Sequence, residues 1–240
     1  MSLTKRPGRA AVPSGKRLSV ASHLSAVFAW LAAFFLMVDA RADTLSLVES
    51  GRPCVAIVLA EDAFERAANV GLNRRQRAAP EPAVQERLAA DELQKHVRRI
   101  SNANLEIIRK GGSLEKRFPI HIGSAADPRL DAEIRNQGED PGSFALVVAA
   151  DQISIRGLSP PGTLNGVYEL LEQLGVRWYM PGELGTVLQQ MSTVQAQLQT
   201  TIQTPAYPAR QLQGVRAPRW ERRVRLGGPY FPASHGIPGF

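Results

Sequence analysis

Residues 153–187 read ISIRGLSPPGTLNGVYELLEQLGVRWYMPGELGTV, and their order decides the fold. Ile153 and Ile155 alternate with polar neighbours, as in a half-buried strand. A tight Pro/Gly turn follows. Leu164, Val167, Tyr168, Leu171 and Leu174 then recur on one face of a helix over 163–174. Gly175 is a stop signal, and Val176–Tyr179 resumes as a strand that ends at Pro181-Gly182. The unit is therefore strand, turn, amphipathic helix, strand.

Working outward, Phe144–Ala149 and Gln152–Arg156 alternate apolar and polar residues around Ala150-Asp151, which predicts a hairpin. Leu105–Arg109 and Phe118–Ile122 are strand candidates, and 127–136 a short helix. Val84, Leu88, Leu93, Val97 and Ile100 form a second helical stripe, with Pro82 in its first turn and Ser101-Asn102 at its end. Thr44–Glu49 and Cys54–Leu59 read as strands around the turn Ser50-Gly51-Arg52-Pro53, and 61–82 as a loop or weak helix. Strands paired as hairpins and interleaved with two good helices predict an α+β fold, a mixed β-sheet with two main helices packed on it. From Met191 onward the chain is Gln/Thr-rich and then rich in Pro and Gly, the composition of a linker.

The chain has 240 residues and a net charge of +7, unevenly placed. Residues 1–42 hold six basic residues against Asp39 alone, and residues 205–240 hold six arginines against Glu221 alone. The stretch between them is mildly acidic, so a domain-wide footprint for nucleic acid is absent. Leu24–Val38 is an uncharged apolar run followed by Ala40-Arg41-Ala42. A basic start, a short apolar core and a small-x-small site form the pattern of a secretory signal peptide. Export to the periplasm or the medium is expected, with cleavage after Ala42. The run is shorter than the roughly 20 residues a membrane helix needs, and membrane contact arises only if this segment stays uncleaved.

The phosphate-loop, His-Glu-x-x-His, Cys-x-x-Cys and Gly-x-Ser-x-Gly motifs are all missing, and no metal or cofactor is implied. Cys54, the single cysteine, opens an apolar run and reads as a buried structural thiol. His96 falls in the last turn of its helix, where positive charge is favoured. His121 reads as a strand histidine. Glu169 and Glu172 fall on the polar side of the 163–174 helix, which predicts solvated carboxylates, and with Glu183 they select no pair spaced for acid–base cleavage of a glycoside.

Gly162-Thr163-Leu164, Gly166-Val167-Tyr168, Leu171-Glu172 and Leu174-Gly175-Val176-Arg177-Trp178-Tyr179 with Pro181-Gly182 carry a resemblance. They resemble the N-terminal, non-catalytic domain, hexosaminidase domain-2-like, that precedes the barrel in α-glucuronidases, β-hexosaminidases and related bacterial glycoside-hydrolase-like proteins. Ala89-Ala90-Asp91-Glu92-Leu93 and Ile120-His121-Ile122-Gly123 match the same pattern. The likeness covers about residues 43–200. It departs at Pro161, where a basic residue is common, and at Asn165, where an aromatic is common.

The resemblance implies an organisation of signal peptide 1–42, accessory domain 43–200, and linker plus the start of a missing (β/α)8 barrel at 201–240. Catalysis in such proteins resides in the barrel, which takes roughly 200 residues or more. No catalytic residue is therefore expected in this chain. Trp220, Arg223 and His235 are the candidate substrate-binding residues, through stacking on a sugar face and donation to hydroxyls or a uronate carboxylate. The expected function is that of an exported accessory domain in glycoside breakdown, of α-glucuronidase or hexosaminidase type, truncated and not catalytic alone. The alternative is a standalone carbohydrate-binding or protein-interaction module that uses the face a barrel would cover. Expected partners are an oligosaccharide or the barrel, and not nucleic acid.

Overall fold

The computed structural model describes residues 43–65, 82–212, 214 and 216–229. The basic leader with its apolar run, and His235, lie outside the described residues. In chain order the elements are β1 (Thr44–Glu49), β2 (Arg52–Pro53), β3 (Val55–Leu59), α1 (Glu61–Glu65), α2 (Pro82–Ser101), β4 (Ile107–Arg109) and β5 (Phe118–Ile122). After a 3-10 turn at Gly123–Ala125 come α3 (Leu130–Gln137), β6 (Phe144–Val148), β7 (Ile153–Gly157) and α4 (Pro160–Gln173). The chain closes with β8 (Arg177–Trp178), β9 (Thr186–Val187), β10 (Val194–Gln197), β11 (Gln199–Gln203) and α5 (Pro218–Arg223).

Six strands form the main sheet in the order β11-β6-β7-β5-β3-β4. Strands β7, β5, β3 and β4 run parallel, while β6 and β11 add on antiparallel. The fold is α+β with a mixed sheet. Val55–Leu59 is buried at every position, as expected of a parallel strand covered on both faces. Its alternate side chains sort accordingly. Val55, Ile57 and Leu59 join the large core beneath α2 and α4, and Ala56 and Val58 point to the opposite face. Helix α3 covers part of that second face through Leu130 and Ile134 against Ala145.

Both main helices follow their stripes. On α2, Leu93, Val97 and Ile100 are buried, and Asn102 ends the helix in the left-handed region, at φ 60°. Helix α4 begins three residues earlier than expected, at Pro160, because Ser159 caps it. The Ser159 hydroxyl accepts from the Gly162 amide at 3.5 Å and donates to Pro141 O at 2.5 Å. Prolines at the first helical positions lack amides that would otherwise go unpaired there. Gly175, at φ 90°, stops the helix.

The Gln/Thr-rich stretch after Met191, expected as linker, forms two strands. β10 pairs antiparallel with β1, with Leu45 opposite Ala196, and β11 pairs with β6, with Ile202 opposite Ala145. Val194 and Ala196 are buried while Gln195 and Gln197 are exposed, so two inward residues suffice to seat a strand of otherwise polar composition. The first turn is also tighter than expected. Ser50 and Gly51, at φ 49° and 77°, make the whole turn, and Arg52–Pro53 already pair with Val48 and Glu49. Cys54 is half-buried, lies just before β3, and has its thiol pushed up in pKa, mainly by burial.

Helix α4 lies against β6 and β7 through glycines. A Cβ on Gly162 would overlap the Ser143 carbonyl oxygen, and one on Gly157 the Thr163 amide nitrogen. A Cβ on Gly166 would lie 2.7 Å from Ile155 Cγ2. Asn165, on the same turn, donates to Gly142 O at 3.0 Å and so ties α4 to the loop before β6. Gly162→Ala is expected to cost about 1–3 kcal/mol of stability through overpacking against backbone, measurable as a lowered urea midpoint with an unchanged slope.

Candidate functional site

The residues singled out for sugar contact sit where the C-terminal segment meets α2, α4 and β8. Trp220 is partly buried against the main core, and its indole N–H donates to Trp178 O at 3.0 Å. Arg223 is only 8% exposed. Its Nε and Nη2 donate to Glu92 Oε2 at 3.1 and 3.0 Å, and its guanidinium carbon stands 5.9 Å from the Trp178 ring centroid. The structure thus brings Trp220 and Arg223 together around Trp178, and engages the polar groups of both within the chain. His235, the third candidate, lies outside the described residues.

The neighbouring arginines act in the same way. Arg225 Nη2 donates to Glu169 Oε2 at 2.9 Å and to Glu172 Oε2 at 2.6 Å. Arg210 reaches Asp140 at 3.4 Å, and its backbone exchanges two 2.8 Å hydrogen bonds with Gly227. Glu169 and Glu172 are therefore ion-paired, where their place on the polar side of the helix had suggested solvated carboxylates. The signal was present in the sequence: two carboxylates one turn apart on a helix, and an acidic body joined to an arginine-rich end. Glu183, the third carboxylate considered, pairs at 3.0 Å with Arg99 on the exposed surface.

Beneath this layer lies a group of buried polar side chains. His96 is fully buried, with its ring edge-on to Trp178 at 5.5 Å between centroids, and Tyr168 meets Trp178 likewise at 5.4 Å. His96 Nδ1 stands 2.8 Å from Glu92 O; since a carbonyl only accepts, the proton is on Nδ1 and Nε2 is a bare acceptor. Burial holds His96 below the ordinary histidine range, against the pull of Glu92. It is a neutral core histidine and not a charged helix-end residue. Burial likewise pushes the Tyr168 hydroxyl up, with the Glu92 carboxylate adding to the effect. His96 Nε2, Tyr168 Oη and Trp178 Nε1 have no hydrogen-bond partner among the described residues.

A second polar centre occupies the carboxyl end of β5. Glu86, 6% exposed, accepts at Oε1 from the Ser124 amide at 2.9 Å and the Ser124 hydroxyl at 2.7 Å. Burial raises its pKa. Arg156 donates to Gly123 O and holds Asp131 at 2.6 Å, which lowers the Asp131 pKa. These contacts fix the β5–α3 turn. Among the described residues no group of three His, Cys, Asp or Glu side chains is placed to hold a metal ion, and no helix is long and apolar enough to cross a membrane.

No protein-family model matches the chain, and no curated protein matches it. Among solved structures it is similar to a GH20 exo-β-N-acetylglucosaminidase from Vibrio harveyi, at 17% identity and a TM-score of 0.37, over 70% of this chain and 18% of that one. It is also similar to BtGH115A, a family GH115 4-O-methyl-α-glucuronidase with specificity for decorated arabinogalactans. There the identity is 16% and the TM-score 0.39, over 69% of this chain and 19% of that one. The chain spans less than a fifth of the length of these proteins.

Two outcomes follow from the geometry. Arg223→Ala leaves the largely buried Glu92 carboxylate without its cation and is expected to cost about 3 kcal/mol; Glu92→Gln in that background recovers part of the loss, read by a double-mutant cycle on urea midpoints. Because His96 is depressed in the folded state, the unfolded chain takes up that proton first on acidification. Stability is therefore fully present above about pH 6.5 and declines below it. His121, lowered by burial and then by Lys110, acts in the same direction. His96→Gln should flatten, without abolishing, the fall in melting temperature between pH 7.5 and 5.

Proposed function

We propose that this protein is an exported, non-catalytic accessory domain of a glycoside-hydrolase-like system of α-glucuronidase or hexosaminidase type. In this reading the leader is cleaved after Ala42 and the domain works beside a (β/α)8 barrel. One observation carries the proposal. The residues that hold the sequence resemblance, 162–182, build α4 and β8 and lead into an apolar hairpin beside the C-terminal segment. On that hairpin Tyr179 is 72% exposed and Leu184 96%, with Met180 and Val187 also open to solvent. Exposed apolar side chains concentrated on one hairpin are the mark of a surface made to be covered.

The occupant proposed is the barrel, because α5 is bonded through Trp220 to Trp178, the last residue of β8 before the exposed Tyr179. The arginines of the C-terminal segment serve in this reading as clamps that hold the segment in a set direction, and the role of Trp220 and Arg223 in sugar contact would be indirect.

The purified chain is expected to release no aryl aglycone from aryl glucuronides or aryl N-acetylhexosaminides. Turnover above the blank that survives repurification overturns the non-catalytic reading. Reading the coding DNA beyond the Phe240 codon in all frames tests the partner: a barrel-coding sequence there supports the proposal. With no barrel encoded nearby, a Tyr179→Ser/Leu184→Ser variant that self-associates as the parent does counts against the hairpin as a docking surface.

A further inference from the structure

The C-terminal end of α2 borders a groove of about 530 Å³ that the clamp does not cover. Its lining includes Lys95, Arg98 and Arg99 of the helix, Asn102 and Asn104 of the turn that follows, and Gln190 of the segment after β9. Its lining contains no carboxylate, although the body of the chain, 43–204, carries more acidic than basic residues. Arg99 is held by Glu183 at 3.0 Å. Lys95 and Arg98 are both exposed and make no ion pair among the described residues. This differs from the C-terminal segment, where Arg210, Arg223 and Arg225 each meet a carboxylate.

We infer that this groove binds an acidic oligosaccharide, with Lys95 and Arg98 taking a uronate carboxylate and the amides of Asn102, Asn104 and Gln190 taking ring hydroxyls. Each primary amide offers a donor and an acceptor, as a sugar hydroxyl does, and a guanidinium–carboxylate contact is charge-assisted. The volume falls in the range of small-molecule sites, roughly 300–1,000 Å³, but the lining is polar where drug-like sites are apolar. A hydroxylated anion suits that lining better than an apolar ligand. Two free cations are too few for the phosphate tracking by which nucleic acids are held. The choice of a glycan rests on the accessory-domain reading, while the preference for an anion rests on the groove alone.

Arg98, in the last turn of α2, also favours the helix dipole, and the test separates a role in helix stability from binding. The purified full chain is titrated calorimetrically with an oligogalacturonide, with its methyl ester, and with an oligothymidylate of equal charge. The expected result is saturable binding of the oligogalacturonide that weakens at least tenfold on esterification and at least tenfold in Lys95→Gln/Arg98→Gln. A variant that loses melting temperature but binds as the parent does assigns the two cations to helix stability and overturns the inference. Absence of saturable binding up to millimolar ligand overturns it as well. Tighter binding of the oligothymidylate replaces the glycan with a phosphate-bearing partner. None of these failures touches the barrel reading, which is decided by the downstream coding sequence and the hydrolysis assay.

Discussion

Helix α4 approaches strands β6 and β7 so closely that three positions have no room for a side chain. Gly157, Gly162 and Gly166 each have backbone or core atoms where a Cβ would lie. The rest of the arrangement depends on that contact. It buries Val167, Tyr168 and Leu171, fixes where β8 leaves the helix, and so sets Trp178 against His96 on α2. Had the helix stood off by the width of a methyl group, lost contacts on both sides would have left voids in the core. Asn165 reinforces the contact by hydrogen bonding, which accounts for a polar side chain at a buried helical position.

The second organising element is electrostatic. The body of the chain is mildly acidic and its C-terminal segment strongly basic, and the two signs meet across named pairs: Arg223 with Glu92, Arg225 with Glu169 and Glu172, Arg210 with Asp140. The Arg223–Glu92 pair is largely desolvated, so its loss is costlier than that of an exposed pair such as Arg109–Glu61. The segment is thereby held on the helical face, with three of its six arginines neutralised within the chain. Lys95 and Arg98 are the contrast, cations on the same helix that meet no carboxylate among the described residues.

Much of the fold was legible from periodicity. The α2 and α4 stripes, the β6–β7 hairpin and β5 appear where their patterns place them, because a buried face imposes its repeat on the chain. Three features escaped. The strand β10 has only Val194 and Ala196 turned inward, too few alternations to stand out among glutamines and threonines. His96 could not be told from a helix-end cation, since position in the helix does not reveal that Trp178 closes over it. Glu169 and Glu172 were read as solvated because their faces are polar, and no local signal says which polar face receives a charged segment from elsewhere in the chain.

The sequence by itself therefore determined most elements from β1 to β8, their order and the α+β class, together with the acidic body and basic end. Those are properties of short windows, set by side-chain spacing, capping and glycine placement. Only the tertiary structure decided the partners. β1 pairs with β10 about 150 residues away, Glu92 receives Arg223 from 131 residues downstream, and the groove beside Asn102 stays open while the neighbouring face is clamped. Spacing within a segment reports that a face is to be buried or charged. What covers or neutralises it depends on contacts between distant segments, which exist only once the chain has folded.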